Sequence, residues 1–431
     1  MVCEYKKTEI GLIPLHWEIK RVGEVAVEKS VRNKKNKDIP ALSVTKHKGI
    51  VLAEEFFSRK VHSENTMNYK IIERGQFAYA TIHLDEGSLG ILRNCEQGII
   101  SPMYTVFEVD TKIIDSEFLF TLLKSKPYIK RYASLGQGSI NRRMSIPFKV
   151  LAKFPIHYPP IEEQKKIVEI LSSVENAIEK TEAIIKQTET VKKGLMQQLL
   201  TKGIGHTEFK ETELGVIPST WEVLSLGEVI SDLKAGVSVN SENRTTINSE
   251  PGVLKTSSVS NRVFNPNEHK AILPEEYNRA TVNPKKDHII ISRMNTPLLV
   301  GSSSYVDNDY PNLFLPDRLW QATMIYDRTW PLWLSFLLTW TYMRDKIGGI
   351  ATGTSGSMKN ISKQAFLTLN IGLPPLDEQK KISDILQSLD NRITAENSKI
   401  KKLEKIKTGL MANLLSGKIR VNIDQLEEVL A

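Results

Sequence analysis

Two long stretches of the chain place apolar residues at alternating intervals of four and three, which is the spacing of a helix with a coiled-coil seam. The first runs from Ile161 to about Thr201, and the second from Pro375 to Gly417. The seam positions are Ile167, Leu171, Val174, Ile178, Thr181, Ile185, Thr188, Lys192, Leu195 and Leu199, then Ile382, Leu386, Leu389, Ile393, Glu396, Ile400, Leu403, Lys407, Leu410 and Leu414. Seven of the first ten and eight of the second ten are apolar. At 1.5 Å per residue, about 40 residues form a rod of about 60 Å.

Proline and glycine mark the ends of both predicted helices. A Pro-Pro pair, ending at Pro160 and at Pro375, precedes each helix, and Gly203 and Gly417 follow them, as expected because proline suits a helix start and glycine a helix end. A single apolar face of this length needs a partner in water, and the simplest partner is the other helix. A two-fold relation would make the pair antiparallel. Two alternatives stay open, namely helices buried in separate domains or used for homodimerisation.

The chain also repeats its own sequence. Thr8–Val25 returns in similar form as Thr212–Val229, at a shift of 204 residues (212 − 8), and Pro159–Ile167 returns as Pro374–Ile382, at a shift of 215 (374 − 159). This spacing is far longer than a solenoid repeat of about 20–50 residues. It indicates a duplicated half-molecule with an approximate two-fold axis, and therefore a partner that is bound in two places.

The segment before each long helix has the composition of a mixed domain. Strands are predicted at Ile39–Thr45, Gln76–Thr81, Met103–Val109, Val253–Val259, His288–Ser292 and Gln321–Tyr326, and helices at Ser116–Tyr132 and Leu332–Ile347. Leu42 aligns with Leu254 and Gly75 with Asp287, both at a shift of 212 (254 − 42 and 287 − 75), while the surfaces between them differ. The predicted fold class is α/β (mixed α+β), with two globular domains separated by two long antiparallel coiled-coil helices in pseudo-two-fold symmetry.

Charge and composition narrow the functional classes. The 431 residues carry a net charge of +8, with an isoelectric point near 9.1, which mildly favours a polyanionic partner. Cys3 and Cys95 are too few for a disulfide framework, so the expected location is a reducing cytoplasm. The most apolar stretch, Trp330–Met343, is shorter than the roughly 20 residues that span a bilayer. It is predicted to be a buried helix, and no membrane partner is expected.

Motifs of catalysis are missing from the sequence. It has no glycine-rich phosphate loop, no His-Glu-x-x-His or paired Cys-x-x-Cys to hold a metal, and no Asn/Asp-Pro-Pro-Tyr motif of amino-methyltransferases. Glu163–Lys165 and Glu378–Lys380 lie at helix starts, where acidic side chains favour the helix dipole. We expect no catalytic residue and no metal site in this chain.

The sequence does predict a binding surface. Polar and basic residues recur in matching loops of the two halves. The candidates are Lys46, His47, Lys48, Thr81, His83, Gln137, Asn141, Arg142 and Arg143 in the first half, and Lys255, Ser257, Ser258, Asn261, Arg262, Arg293, Asn295, Ser302, Ser303, Thr354 and Lys359 in the second. Arg, Asn and Gln can bond base edges and Lys can bond phosphates, so the set favours DNA. For any single residue, an ordinary solvated position is the alternative.

Two repeated motifs resemble those of one known family. The block Leu/Tyr-Pro-Pro-Ile/Leu-Glu/Asp-Glu-Gln-Lys-Lys-Ile opens each long helix at 158–167 and 373–382, and Gly-x-Ile-Pro-x-x-Trp-Glu recurs at 11–18 and 215–222. Both motifs occur twice, in the same order, over essentially the whole chain. In this the sequence resembles the specificity subunit of type I restriction–modification systems.

The resemblance implies that different segments of the chain have different functions. Residues 1–157 and 204–372 would be two target-recognition domains, each reading one half of a bipartite asymmetric site in double-stranded DNA. Residues 158–203 and 373–418 would be helices that set the gap between the half-sites, followed by a tail at 419–431. The implied partners are two methyltransferase subunits carrying S-adenosylmethionine and motor–nuclease subunits using ATP and Mg, with no cofactor on this chain.

A function of another class remains open, that of a coiled-coil adaptor which bridges proteins without recognising DNA. A sharply salt-dependent affinity for DNA, specific against random competitor, separates the two functions.

Overall fold

The computed structural model describes residues 4–36, 38–57, 65–134, 145–260, 263–353 and 358–421. The chain divides into two compact units, the first Met1–Thr181 with Lys399–Ala431 and the second Glu182–Ser398. Each long helix therefore contributes one part to each unit. Gln137, Asn141–Arg143, Asn261, Arg262 and Thr354 lie outside the described residues.

The first unit opens with short strands and ends in long helices. Its strands are β1 (Tyr5–Thr8), β2 (Gly11–Pro14), β3 (Glu18–Arg21), β4 (Ala26–Lys29), β5 (Ala41–Thr45), β6 (Gly49–Leu52), β7 (Lys70–Glu73), β8 (Phe77–Ala80), β9 (Leu89–Ile91), β10 (Gln97–Ile100), β11 (Tyr104–Val109) and β12 (Pro155–Tyr158). The helices that begin in this unit are α1 (Val22–Val25), α2 (Ala53–Phe56), α3 (Ser116–Leu123), α4 (Lys126–Tyr132), α5 (Phe148–Leu151) and the long α6 (Ile161–Lys202), with a 3-10 turn at Leu84–Glu86.

The second unit has a similar element order. Its strands are β13 (Phe209–Thr212), β14 (Gly215–Pro218), β15 (Glu222–Ser225), β16 (Ile230–Ala235), β17 (Ser241–Glu242), β18 (Gly252–Leu254), β19 (His269–Ile272), β20 (His288–Ser292), β21 (Met294–Asn295), β22 (Ser303–Val306), β23 (Leu313–Phe314), β24 (Leu319–Met324), β25 (Lys359–Asn360) and β26 (Asn370–Leu373). The helices that begin here are α7 (Pro331–Thr339), α8 (Thr341–Gly349), α9 (Lys363–Leu367) and the long α10 (Leu376–Leu414), with 3-10 turns at Leu226–Glu228, Thr256–Val259 and Pro274–Arg279.

The sheets repeat the duplication seen in the sequence. One four-stranded sheet has the order β4-β11-β8-β9 in the first unit and β16-β24-β20-β22 in the second. The other contains a parallel pair in each unit, β10 with β5 and β18 with β23. Gly75 and Asp287, aligned in sequence, both have a positive φ, 83° and 59°, in the turn before β8 and before β20. The mixed α/β prediction is confirmed.

The two long helices pack together, as their seam predicts. In the first unit, Ile167 and Leu171 near the start of α6 share a core with Leu414 at the end of α10. In the second unit, Leu199 near the end of α6 shares a core with Ile382 near the start of α10. The start of one helix thus pairs with the end of the other, which makes the pairing antiparallel.

Lysines that interrupt the seam have acidic partners on the opposite helix. Lys192 pairs with Asp390 in the second unit, and Lys407 pairs with Glu175 in the first. Both pairs follow one antiparallel register, because 17 residues separate their members on α6 (192 − 175) and on α10 (407 − 390). Lys192 is buried, with its ammonium 5.3 Å from the Phe336 ring centroid. Partners of this kind fix the register of a helix pair.

Three predicted elements are wrong in part. The strand expected over Val253–Val259 ends at Leu254, and Thr256–Val259 forms a 3-10 turn, consistent with the tendency of Ser and Thr to bond nearby backbone. The helix expected over Ser116–Tyr132 breaks before Pro127 into α3 and α4, and the one over Leu332–Ile347 breaks at Trp340 into α7 and α8.

The apolar stretch Trp330–Met343 contributes buried side chains to the core of the second unit, including Trp333, Leu334 and Phe336. Among the described residues, no helix has the length and apolar character that crossing a membrane requires.

Candidate nucleic-acid interface

A buried glutamine joins each globular segment to its long helix. In the second unit, Gln379 Oε1 accepts from the Trp330 backbone N–H at 2.7 Å, and its Nε2 donates to the carbonyls of Arg328 and Pro374, both at 2.8 Å. In the first unit, Gln164 accepts from the Asp115 N–H at 2.7 Å and donates to the Pro159 carbonyl at 2.8 Å. These two side chains, which sequence analysis assigned only to a helix start, hold the chain before α7 and before α3 against the long helices.

The neighbouring glutamate fixes the second repeated motif. Glu378 accepts from the Trp221 indole N–H at 3.0 Å and from His206 Nε2 and the Ile204 N–H, both at 2.8 Å. In the first unit the matching Glu163 bonds His16 Nε2 at 3.1 Å. In both units the glutamate therefore contacts the Trp motif. The contact is made by the Trp221 indole in the second unit and by His16 in the first, where Trp17 Nε1 has no hydrogen-bond partner among the described residues.

The first candidate loop is a tight turn between β5 and β6. Lys46, His47 and Lys48 are exposed there. The turn is closed by Thr45, whose hydroxyl donates to the Gly49 carbonyl at 3.1 Å and accepts from the Lys48 N–H at 3.0 Å. A fixed backbone with three outward basic or imidazole side chains can present donors to a polyanion.

The second candidate loop of the first unit lies beside the first. Ser88 donates to the Val44 carbonyl at 3.4 Å, which ties the segment after β8 to the end of β5. The two backbones come so close that a side chain at Gly90 would meet the Ile50 nitrogen at 2.6 Å. Thr81 is partly exposed and His83 exposed. The structure thus packs the segment that follows Thr81–His83 against the strands on either side of the Lys46–Lys48 turn.

In the second unit the predicted serines differ in their exposure to solvent. Ser257 is exposed and donates to Glu268 at 2.7 Å, and Lys255 lies 3.7 Å from the same carboxylate. Ser258, Ser302 and Ser303 are buried, at 0 %, 7 % and 1 % exposure. Burial leaves these three side chains almost no surface with which to contact a base, so they lie beneath the candidate interface and not on it.

Three other candidates of this unit lie together. The strand β21, which contains Asn295, pairs with β25, which contains Lys359. Arg293 immediately precedes β21, and its backbone carbonyl accepts from the Ile361 N–H. The Arg293 N–H in turn bonds the carbonyl of Arg318, a basic residue that the sequence did not single out. Arg318 is distant from Arg293 in sequence, and this backbone hydrogen bond brings it beside the three candidates.

Among the described residues, no three His, Cys, Asp or Glu side chains come together as a metal site requires. The arrangement is one of donors and cations on fixed turns, which suits recognition of an anionic partner.

Each unit also has an apolar groove at an equivalent place. The first, about 350 Å³, is lined by Leu12 of β2 and by Leu415, which directly follows α10, and the second, about 270 Å³, by Val216 of β14 and Leu200 of α6. Leu12 and Val216 are 66 % and 51 % exposed. The sequence repeats relate both pairs, at shifts of 204 (216 − 12) and 215 (415 − 200). A surface built twice suits a partner that binds in two copies.

A buried histidine, His157, bonds two partners in the first unit. His157 Nε2 donates to the Leu415 carbonyl at 2.7 Å, so the neutral ring accepts at Nδ1 from the Tyr128 hydroxyl at 3.0 Å. Burial lowers the pKa of His157, the Leu415 carbonyl partly opposes this, and Arg131 adds to it. The folded-state pKa therefore lies below the unfolded value of about 6.5.

We expect the first unit to lose stability as pH falls from about 6.5 through the lower folded-state pKa of His157, because the unfolded chain then binds the extra proton. Thermal unfolding of the wild type and His157→Gln at several pH values measures this. Glutamine can bond both partners without titrating, so the variant should lose less stability in acid. The repeat-equivalent residue of the second unit is Gly372, which provides an internal comparison. Equal acid sensitivity of wild type and variant would contradict the assignment.

Comparison with known proteins gives one consistent answer. The family model described as type I restriction modification DNA specificity domain matches residues 14–190 and 218–405. The chain is 30% identical over 422 residues to the type I restriction enzyme MjaVIII specificity subunit of Methanocaldococcus jannaschii, covering 95% of this chain and 94% of that one. It is 23% identical over 316 residues to the EcoKI specificity subunit of Escherichia coli, covering 72% and 66%.

Solved structures show the same fold. The type I restriction-modification S subunit of M. genitalium matches with a TM-score of 0.56 at 13% identity, covering 96% of this chain and 99% of that one. A chain from a study of complex assembly and conformational transition of the type I R-M system also matches with a TM-score of 0.56, at 17% identity, covering 94% and 99%.

Proposed function

We propose, since this chain belongs to the family of type I restriction modification DNA specificity domains, that it selects the DNA site for a restriction–modification complex. Each unit reads one half of a bipartite asymmetric site in double-stranded DNA, and the α6–α10 pair sets the distance between the halves. The chain recognises the DNA site, and its partner subunits catalyse the reactions.

The observation that supports this proposal is that equivalent turns of the two units have different side chains. After β8 the loop has Thr81 and His83, whereas after the matching β20 it has Arg293 and Asn295. Base edges are distinguished by the pattern of donors and acceptors that meets them. Two different sets of side chains at equivalent positions of the two units support an asymmetric DNA site.

The partners follow from the family and from the duplicated surface. We propose that two methyltransferase subunits, carrying S-adenosylmethionine, bind this chain, one at each apolar groove. Motor–nuclease subunits using ATP and Mg would join that complex for cleavage. The equivalence of Leu12 with Val216 and of Leu415 with Leu200 supports two copies of one partner rather than two different partners.

Exchanging residues 205–370 for the corresponding segment of another specificity subunit is expected to change one half-site and leave the other unchanged. Both long helices stay, with Glu378 and Gln379 at the start of α10, so the second globular segment is replaced while the helix pair is unchanged. Sequencing the methylated positions in a host that carries the complete system gives the site before and after the exchange.

An exchange of residues 14–150 serves as the matched experiment and should change the other half-site. A change in both half-sites from either exchange would contradict independent reading. DNA affinity that does not exceed that for random competitor would instead favour a protein-bridging adaptor.

A further inference from the structure

One turn of the candidate interface in the second unit has an apolar residue at its surface. Leu298 is 88 % exposed, more than any other large hydrophobic side chain among the described residues. It lies in the turn that joins β21 to β22, three residues after Asn295 and two before the buried Val300. Single exposed leucines are ordinary on protein surfaces, but this one differs in how its turn is held and in what surrounds it.

The turn is held at both ends. Asn295 Oδ1 accepts from the Thr296 N–H at 2.9 Å, and Asn295 Nδ2 donates to the hydroxyl of the buried Ser292 at 3.2 Å. The Val300 N–H donates to the Thr296 carbonyl at 2.9 Å. Gly301 has a φ of 74°, and a side chain there would meet an atom of α8 at 2.2 Å. The backbone that carries the exposed leucine is therefore fixed on both sides.

The cationic side chains around this turn bond backbone carbonyls. Arg344 of α8 donates to the Leu298 carbonyl at 3.2 Å. Arg293, directly before β21, and Lys359, in the strand β25 that pairs with β21, also donate to carbonyls, at 2.7 and 3.2 Å. Asp345, next to Arg344 on α8, offsets part of the charge. A carbonyl neutralises no charge, so this surface still favours a polyanion.

A leucine among cations indicates a DNA partner more than an apolar protein partner. An apolar protein surface would cover the cations without pairing them, which is costly. A duplex supplies phosphates to the cations and also has one apolar group on its base edges in the major groove, the C5-methyl group of thymine. A leucine side chain forms no hydrogen bond, so this methyl group is the feature of a base edge that it can recognise.

The equivalent position of the first unit has a different chemistry. Glu86 is the sixth residue after β8 ends at Ala80, and Leu298 is the sixth after β20 ends at Ser292 (86 − 80 and 298 − 292). Glu86 is exposed, and its carboxylate lies 3.3 Å from His83 Nδ1. A carboxylate can accept from the amino group of cytosine, whereas apolar side chains contact the thymine methyl group. A difference of this kind is expected where two units read different bases.

We propose that Leu298 contacts the C5-methyl group of a thymine in the major groove and so helps to determine the half-site that the second unit reads. The inference rests on the proposed function, because it requires that this unit binds DNA. Leu298 adds a preference at one base pair, whereas the surrounding cations raise the affinity for any duplex.

The test compares full-length wild type with Leu298→Ala on duplexes in which single thymines are replaced by deoxyuridine, which lacks only the C5-methyl group. The duplex contains the site found by methylome sequencing, and the exchange of residues 205–370 identifies the half-site of the second unit. At one thymine of that half-site, the replacement should weaken wild-type binding about fourfold, as expected for one methyl group no longer buried. Leu298→Ala should bind the thymine and deoxyuridine duplexes equally, because its shorter side chain does not reach the methyl group.

Ile247→Ala is the matched control and should keep the fourfold difference. Ile247 is 60 % exposed in the same unit and precedes β18, whereas the candidates Lys255 and Ser257 follow that strand. Leu298→Met should also keep the difference, because its side chain is long and apolar, and this excludes misfolding as the cause of the loss in Leu298→Ala.

The proposal is overturned if the half-site contains no A·T pair, or if no thymine replacement in it weakens wild-type binding. It is also overturned if Leu298→Ala keeps the difference or if Ile247→Ala loses it equally. Unchanged DNA binding by Leu298→Ala together with failed assembly with the partner subunits overturns it in favour of a protein contact. If the wild type does not prefer its site over a random duplex of equal length, the proposed function fails instead.

Discussion

Inserting seven residues into the middle of both long helices is expected to lengthen the gap between the recognised half-sites by about three base pairs, since seven helical residues add about 10.5 Å and each base pair about 3.4 Å. Seven residues are one heptad, so the apolar seam keeps its phase. The insertions belong after Ala183 in α6 and after Ser398 in α10. These points lie opposite each other in the register of the Glu175–Lys407 and Lys192–Asp390 ion pairs.

The lengthened protein should bind the original site at least about 10³-fold more weakly, approaching its affinity for random DNA, and should bind tightly a site with the longer gap. Binding to a series of duplexes that differ only in the number of spacer base pairs measures the shift. A heptad inserted into α6 alone is the control, and it should prevent correct pairing with α10. A folded double-insertion protein that keeps the original spacing would contradict the role of the helices as a ruler.

Replacing Gln379 with Ala is expected to destabilise the second unit by about 3 kcal/mol or more. The change removes the partner of the Trp330 N–H and of the Arg328 and Pro374 carbonyls in a fully buried position. Each buried polar group left without its partner costs about 1–3 kcal/mol. Chemical denaturation measures the destabilisation, and limited proteolysis identifies which unit opens first.

Gln164→Ala is the matched change in the first unit, with a smaller expected effect because its third hydrogen bond, to the Ile113 carbonyl, is longer at 3.4 Å. Gln198→Ala, at an exposed position of α6, should change stability by less than about 0.5 kcal/mol. If all three variants unfolded at the same denaturant concentration as the wild type, Gln379 and Gln164 would not hold the globular segments to the long helices.

The long helices and the duplication were predictable because their signals are local and periodic. A seam such as Ile382, Leu386 and Leu389 needs no knowledge of distant residues, and the repeat of Gly75 by Asp287 reflects one turn that needs a positive φ in both units. The seam predicted that the helices pair, and the two-fold relation implied by the duplication predicted that the pair is antiparallel.

Features that depend on distant partners were not predictable. Gln379 has the sequence context of a first helical turn, and only the fold brings Trp330 to it. Ser303 belongs to a run of serines, which is typical of a loop. In the structure it lies in β22, opposite Ile291 of the central strand β20, and is buried there. Arg318 reaches the candidate interface through a single backbone bond to Arg293. Polar composition thus indicated which segments form the surface, but not which side chains face outward.

The interleaved order of the two units has a consequence for synthesis. The second unit, Glu182–Ser398, is continuous in sequence, whereas the first needs Lys399–Ala431 as well as Met1–Thr181. Domains usually fold from the N-terminus onward as they leave the ribosome, but here the later unit is completed first. Ile167 and Leu171 share a core with earlier residues of the first unit and with Leu414 of α10. Until Leu414 has been made, the side of α6 that packs on α10 in this unit therefore lacks its partner, through the translation of more than half the chain.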